Sequence, residues 1–310
     1  MATNARQTTA FLVAIAVLMS SAAGTAVARD RRYAWNRVED RLLYISSGNL
    51  MDKLALSYDT LLADVYWIRA IQHYGYDRLH PEAPERYALL YPLLDLTTSL
   101  DPNFMVAYRF GAIFLSEPDP GGAGRPELAI ALLEKGVKTN PDKWEYYHDI
   151  GFVYYWHLHA YQKAAEWFSR GAERPGAPWW LKTYAAVMLT KGGNRQASRF
   201  MWQNILQTAN NDWMKQSARK RLLQLDALDQ IDALDRVVAE FRRRTGEYPQ
   251  SWDELVKARL LRSTPIDPSG VSYTINPVGE IGVDQSSQLY PLPTEPAASP
   301  ELRRGTPAAQ

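Results

Sequence analysis

The stretch from Trp144 to Pro175, WEYYHDIGFVYYWHLHAYQKAAEWFSRGAERP, narrows the possible folds most. Tyr147, Ile150, Gly151 and Tyr154 recur at helical spacing, a turn follows around His159, and Ala164, Phe168 and Gly171 repeat on a second helix. The spacing predicts two antiparallel helices. Small residues at Gly151, Ala164 and Gly171 let their backbones approach, and aromatic side chains fill the space between. The pattern recurs on both sides. Downstream, Leu181, Tyr184, Ala185 and Met188 take the first-helix positions, Lys191 to Asn194 the turn, and Ala197, Met201 and Asn204 the second helix. Upstream, Ala107, Phe110, Gly111 and Phe114 begin a copy that Ala129, Leu133, Gly136 and Pro141 complete. Asp101-Pro102 and Asn140-Pro141 punctuate two copies in the same way.

This pattern resembles the tetratricopeptide repeat (TPR), a helix pair of about 34 residues with Leu-Gly, Tyr, Ala, aromatic and Pro at set positions. The copy at Trp144 carries one extra residue in its turn. The resemblance implies an all-α, right-handed helical solenoid. It also implies a concave groove lined by positions two, five, nine, twelve and thirteen of each first helix. Those positions are Met105, Tyr108, Ala112 and Leu115 in one copy, and Glu145, His148, Phe152, Tyr155 and Trp156 in the next. In the third they are Trp179, Lys182, Ala186, Leu189 and Thr190. Tyr108, His148, Phe152, Tyr155, Trp156, Trp179 and Lys182 are therefore the expected peptide-binding residues. Rigid rings offer contact area at small entropic cost, which suits an extended or helical peptide. The Lys/Asn arrangement with which TPRs clamp a C-terminal carboxylate is not reproduced; Lys182 stands alone.

Charge and composition remove several function classes. The formal net charge is +1, with acidic and basic residues interleaved, so a nucleic-acid-binding stripe is not supported. The chain has no cysteine, which excludes disulfides, thiolate catalysis and a CxxC zinc site. Hydrophobic residues make up 46% of its 310 residues, enough for a substantial core.

The other segments flank the repeats. Residues 1–28 carry Arg6, an apolar run from Phe11 to Met19, and small residues ending Ala26-Val27-Ala28. This is the layout of an export signal, and cleavage after Ala28 is favoured over a retained anchor at residues 8–28. The chain is expected in the periplasm or cell envelope. Residues 33–101 read as divergent helices and a first repeat: Met51–Tyr74, a Pro-containing loop, then Arg86–Leu100. Repeats occupy 102–211. The loop Ser116–Arg125 reads as a flexible insertion, since no Gly-Lys-Ser/Thr follows its glycines. Residues 212–245 form the capping helix. Residues 246–285 form a small module, with a helix after the capping box Ser251/Glu254 and two strands around Asn276–Gly279. The order Tyr248-Pro249, short helix, Pro265-Ile-Asp-Pro-Ser-Gly270, Tyr273 strand is similar to segments of pilin-like proteins of type II secretion and type IV pili. Most of the chain also resembles bacterial envelope TPR proteins that carry a phrase like LLADVYWIRAIQHYG. Residues 286–310, rich in Pro, Ser and Ala, are expected to be disordered.

Candidate chemistry is sparse. His157 and His159 two apart face different ways, and His148-Asp149 could orient an imidazole but lacks a nucleophile at recognisable spacing. Asp226, Asp229, Asp232 and Asp235 recur every third residue, which drifts around a helix rather than converging on one ion. No HExxH, GxSxG or GxGxxG is present. The expectation is a non-catalytic interaction scaffold without metal or cofactor, whose partner is an envelope protein or peptide. A glycan-binding module built on the aromatics, or an envelope enzyme using His148 or His157, are the alternatives.

Overall fold

The computed structural model describes residues 15, 17–25, 27–28, 58–82 and 85–296. The expected signal or anchor is covered only in part, and residues 33–57 lie outside the described residues. No helix among the described residues is long and apolar enough to cross a membrane.

The described residues are mostly helical, with one two-stranded sheet among them. Among the described residues from Tyr58 on, nine helices follow one another in the main body: α1 (Asp59–Leu79), α2 (Leu90–Leu100), α3 (Met105–Ser116), α4 (Pro126–Thr139), α5 (Trp144–Trp156), α6 (Tyr161–Ala172), α7 (Trp180–Lys191), α8 (Arg195–Thr208) and α9 (Asp212–Thr245). Each packs against the next, and α3 also touches α5 while α2 touches α4. Short connections make consecutive neighbours antiparallel. A small module follows, with α10 (Trp252–Lys257), β1 (Tyr273–Ile275) and β2 (Ile281–Val283).

Glycine decides how closely the central helices sit. A Cβ placed on Gly171 would lie 2.8 Å from Tyr147 Cβ and 3.0 Å from Leu181 Cδ2, so α5 and α7 both press on α6 there. Larger core side chains fill the wider gaps: Leu90, Leu94, Leu115, Leu132, Leu133 and Ile150 are fully buried. Buried hydroxyls are bonded locally: Ser198 Oγ donates to Ala186 O at 2.8 Å and pairs with Thr190 Oγ1 at 2.7 Å, stitching α8 to α7.

Helix ends follow the sequence closely in the second half. Asn194 and Asn211 cap α8 and α9 by accepting N–H bonds from Ala197 (3.0 Å) and Met214 (2.8 Å). Gly246 ends α9 in the left-handed conformation, φ 86°, after Arg242, Arg243 and Arg244 in the last turn. The capping box differs from expectation. Ser251 makes no side-chain cap; Glu254 Oε2 instead accepts the Gln250 N–H at 3.0 Å, one residue earlier.

Two loops also differ. The α1 helix continues to Leu79 instead of breaking near Tyr74, because Asp77 turns inward and accepts the Tyr87 N–H at 2.6 Å. The expected flexible insertion at 116–125 is fastened: Ala123 and Arg125 donate to Phe114 O and Leu115 O at 2.9 and 2.7 Å. Tyr74 and Tyr87 hydroxyls donate to Gly121 O and Pro120 O at 2.7 and 3.0 Å, and Arg86 pairs with Asp119.

The C-terminal module builds its core on α9. Ala227, Leu234 and Val238 of that helix pack with Trp252, Leu255, Tyr273 and Leu289. The strands pair antiparallel with Thr274 opposite Gly282, and the Asn276–Gly279 turn forms where expected. Asp267 is the hub of the preceding loop, taking the N–H groups of Ser269 (2.8 Å) and Val271 (3.0 Å) and the hydroxyls of Ser269 and Ser287. Residues expected to be disordered from 286 onward are packed as far as they are described. Leu289 is buried, and Gln224 Nε2 donates at 2.8 Å to both Leu289 O and Pro291 O. Composition pointed to disorder; a buried leucine and a glutamine clamp outweigh it. Residues 297–310 lie outside the described residues.

Three aspartates of the α9 series, Asp226, Asp229 and Asp232, meet arginines of α8. Asp226 and Asp229 bond Arg199 at 3.1 and 2.6 Å, and Asp229 and Asp232 bond Arg195 at 3.0 and 2.5 Å. These acids face arginines of α8, a partnership invisible in the spacing of the acids alone.

Candidate functional site

Helix α5 sends two kinds of side chain outward because its inward positions are already taken. Tyr146, Tyr147, Ile150, Gly151 and Val153 are buried. Four residues apart on the outer side stand His148, Phe152 and Trp156, and that spacing aligns them along one helix face. Their rings form a ladder: His148 to Phe152 is 6.4 Å with planes 27° apart, and Phe152 to Trp156 is 6.1 Å with planes 9° apart. Phe152 and Trp156 remain 42% and 56% exposed.

Neighbouring helices close both ends of the ladder. At the His148 end, Trp180 of α7 meets the imidazole edge-on at 5.4 Å and Trp144 at 5.7 Å. Tyr184 lies 6.5 Å from His148 and 5.8 Å from Phe168. At the other end Tyr155 sits 6.0 Å from Trp156 and 6.2 Å from Tyr161, with Lys191 Nζ over its ring at 5.0 Å.

A charged group borders the ladder beside His148. Asp149 accepts Arg109 Nε at 2.5 Å and Nη2 at 3.2 Å, tying α5 to α3. The bonds from Asp149 hold the Arg109 guanidinium more firmly protonated than usual, against the opposing effect of burial. Asp149 Oδ1 is also 2.8 Å from His148 Nδ1, so the carboxylate orients the imidazole and leaves Nε2 without a hydrogen bond among the described residues. One turn away, Glu145 Oε2 is buried without a hydrogen-bond partner among the described residues. Flat rings beside two carboxylates and an oriented imidazole can stack on an apolar or planar group and accept hydrogen bonds from a cation or amide. His148 is bonded to no nucleophilic hydroxyl among the described residues.

The expected site residues are distributed unevenly. His148, Phe152, Tyr155 and Trp156 lie together on α5. Tyr108 does not join them: it is fully buried, 5.3 Å from the Tyr146 ring, with its hydroxyl on Thr98 O at 3.4 Å. The physical reason is a rotation of α3. Tyr108, Ala112 and Leu115 turn into the core, and Val106, Phe110 and Ile113 are left exposed at 44%, 51% and 49%. Phe110 and Tyr184, placed on core positions by the repeat, are thus outside. Trp179 is exposed but packs edge-on against Trp213 of α9 at 5.4 Å, and its neighbour Trp180 reaches His148 instead. Lys182 is exposed and makes no hydrogen bond to the ladder among the described residues. Ala186 and Thr190 are buried.

Arg109, Trp180 and Tyr184, which border the ladder, lie outside the groove positions that the repeat register selects. The signal available for Arg109 was its charge, opposite to that of Asp149 one repeat later. His157 sits at the end of α5, where burial pushes its imidazole below the ordinary value; His159 is exposed in the turn with φ 50°. Comparison with protein-family models, with curated proteins and with solved structures gives no match for this chain.

Proposed function

We propose that this chain is a non-catalytic interaction scaffold of TPR type, a right-handed solenoid whose α5 face holds a segment of another protein. The single observation that supports the reading is the Phe152–Trp156 pair, two large rings in parallel planes and about half exposed, at a charged border. Solvent-exposed rings in register are costly to leave uncovered and give anchors to a peptide. The export-like first 28 residues and the pilin-like order of the C-terminal module favour an envelope partner in a pilus, secretion or envelope-assembly machine.

The test is a photo-crosslinking phenylalanine analogue at Trp156, with Phe200 as control position, in the intact source cell. Phe200 is 73% exposed on α8. A discrete envelope protein captured from position 156 and not from 200, and lost on Phe152→Ala, is the expected result. Equal capture from both positions, or capture of cytoplasmic proteins alone, overturns the proposal. The parallel rings also suit a sugar face; capture of nothing but tryptophan-fluorescence change with envelope glycans would move the reading to glycan binding.

A further inference from the structure

Helix α1 carries two apolar rows, and the body of the chain uses one of them. The first, Ala63, Tyr66 and Ala70, is buried, and the inward-turned Asp77 continues its line. The rotation of the helix is fixed at two levels. Trp67 and Tyr74 stack on Phe114 of α3 at 6.1 and 4.0 Å, and Asp77 accepts the Tyr87 N–H on the approach to α2. The second row, Leu61, Val65, Ile68 and Leu79, stands 59%, 45%, 52% and 78% exposed. Because the first row is held, the second has no way to turn inward.

The exposed row has the spacing of a two-stranded coiled coil. Leu61, Val65, Ile68, Gln72, Gly75 and Leu79 alternate steps of four and three residues, so Val65, Gln72 and Leu79 fall on position a of a heptad and Leu61, Ile68 and Gly75 on position d. Ala63, Ala70 and Asp77 then fall on position f, opposite the seam, which leaves the body behind the helix. A β-branched residue at a, Val65, beside leucine at d, Leu61, is the combination that favours two parallel strands. Gly75 thins the lower end, so the contact centres on Leu61 to Ile68. The flanking positions select the direction. In a parallel pair each g residue meets the e residue five places along the other copy. Asp64 is at g and Arg69 at e, which gives two opposite-charge pairs by symmetry, and Ile71 and Tyr76 meet in the same way. An antiparallel pair sets g against g and e against e, bringing Asp64 to Ile71 and Leu62 to Arg69. The surface therefore complements itself in the parallel direction.

We propose that two copies of this chain pair in parallel through α1, with Leu61, Val65 and Ile68 at the centre of the seam and Asp64 of each copy against Arg69 of the other. The seam lies on the first helix of the described body and makes no use of the α5 ladder, so it stands apart from the peptide-binding reading of that face. What it adds is that one particle carries two α5 faces.

The experiment uses the purified full chain, whose lack of cysteine makes single-cysteine variants unambiguous. Sedimentation equilibrium over a dilution series should approach twice the chain mass at the concentrated end. On mild oxidation Leu61→Cys should form an interchain disulfide about tenfold more abundantly than Phe200→Cys on the exposed side of α8, because only a parallel seam brings the two Cα atoms of position 61 within bridging distance. Ile68→Glu should return the single-chain mass with an unchanged circular-dichroism melt, since Ile68 lies outside the buried core. Asp64→Arg, which sets like charges against each other, should weaken pairing about tenfold. A single-chain mass at every concentration overturns the proposal and leaves the row to another segment of the same chain or to a different protein. A double mass that survives Ile68→Glu overturns it too, because the copies then meet elsewhere. Pairing that is lost on Ile68→Glu but unaffected by Asp64→Arg, with no excess of the Leu61→Cys disulfide, overturns the parallel arrangement.

Discussion

Gly151 and Phe168 fit so tightly that a Cβ on Gly151 would fall 2.5 Å from Phe168 Cε1 and 2.6 Å from Cδ1. The ring has little room to retreat, since Phe168 is fully buried and the His148 and Tyr184 rings each lie 5.8 Å from it. In a solvent-exposed helix, Gly→Ala would stabilise by up to about 1 kcal/mol. Here overpacking dominates, so Gly151→Ala is expected to lower stability by about 1–3 kcal/mol. Urea unfolding followed by circular dichroism checks it; a variant as stable as the parent would show that α6 can shift away.

Trp202 is the largest fully enclosed side chain at the α7–α9 junction, 2% exposed among Ala186, Ile205, Ala218 and Leu225. Trp202→Ala should cost about 3–5 kcal/mol, and Trp202→Phe clearly less, because the smaller cavity loses fewer contacts. A thermal melt of both variants ranks them.

Asp149→Asn should leave the fold nearly intact. Its pair with Arg109 is partly exposed, with side chains 17% and 37% accessible, so the expected cost is below about 1 kcal/mol. Capture from position 156 should fall much further than stability does. Parallel denaturation and crosslinking yields separate the two effects.

Asp267 gives the small module an acid limit. Burial alone would raise its carboxyl, but the Ser287, Ser269 and backbone N–H bonds outweigh that and hold it below the ordinary carboxylate value. A depressed folded value means that stabilisation is complete above the unfolded value of about 3.9 and is lost as pH falls through the folded one. At the alkaline end the Tyr273 phenol, buried and near Asp267, is pushed up to about 12. Its contribution is complete below the unfolded value of about 10 and disappears as pH rises toward 12. Trp252, whose indole donates to Tyr273 O at 2.7 Å, is the reporter. Its signal should hold between pH 4 and 10 and change outside that range. Asp267→Asn should remove the acid-side dependence and destabilise the module near neutrality.

Helical periodicity exposed the order of elements from α3 to α9, because buried apolar positions recur at helical spacing along each helix and small residues such as Gly111, Gly136, Gly151 and Gly171 mark close approaches. It was weaker on rotation about the helix axis. One residue separates Tyr108 from Arg109, and that is about 100° on a helix; the repeat register chose Tyr108, while packing against Gly136 and Tyr146 buried it. The acids at 226, 229 and 232 looked like a solvated row until α8 brought Arg195 and Arg199 across from over 25 residues away in sequence. Local pattern carries no information about such a pairing. The tail was misread for a similar reason: proline-rich composition speaks of low core-forming power, yet one leucine and one glutamine sufficed to hold it.

Helix α9 has 34 residues, which makes it about 51 Å long. Its first half closes the helical body through Ala218 and Leu225, and its second half is one wall of the small module through Leu234 and Val238. Neither region can therefore melt to completion without unravelling a helix the other needs. The module cannot be excised as residues 246–296 and retain its core, and a pull applied to the hairpin is transmitted along a continuous hydrogen-bonded rod to the α7–α8 layer. A force-extension trace should accordingly show the hairpin and the α8–α9 layer giving way in a single event.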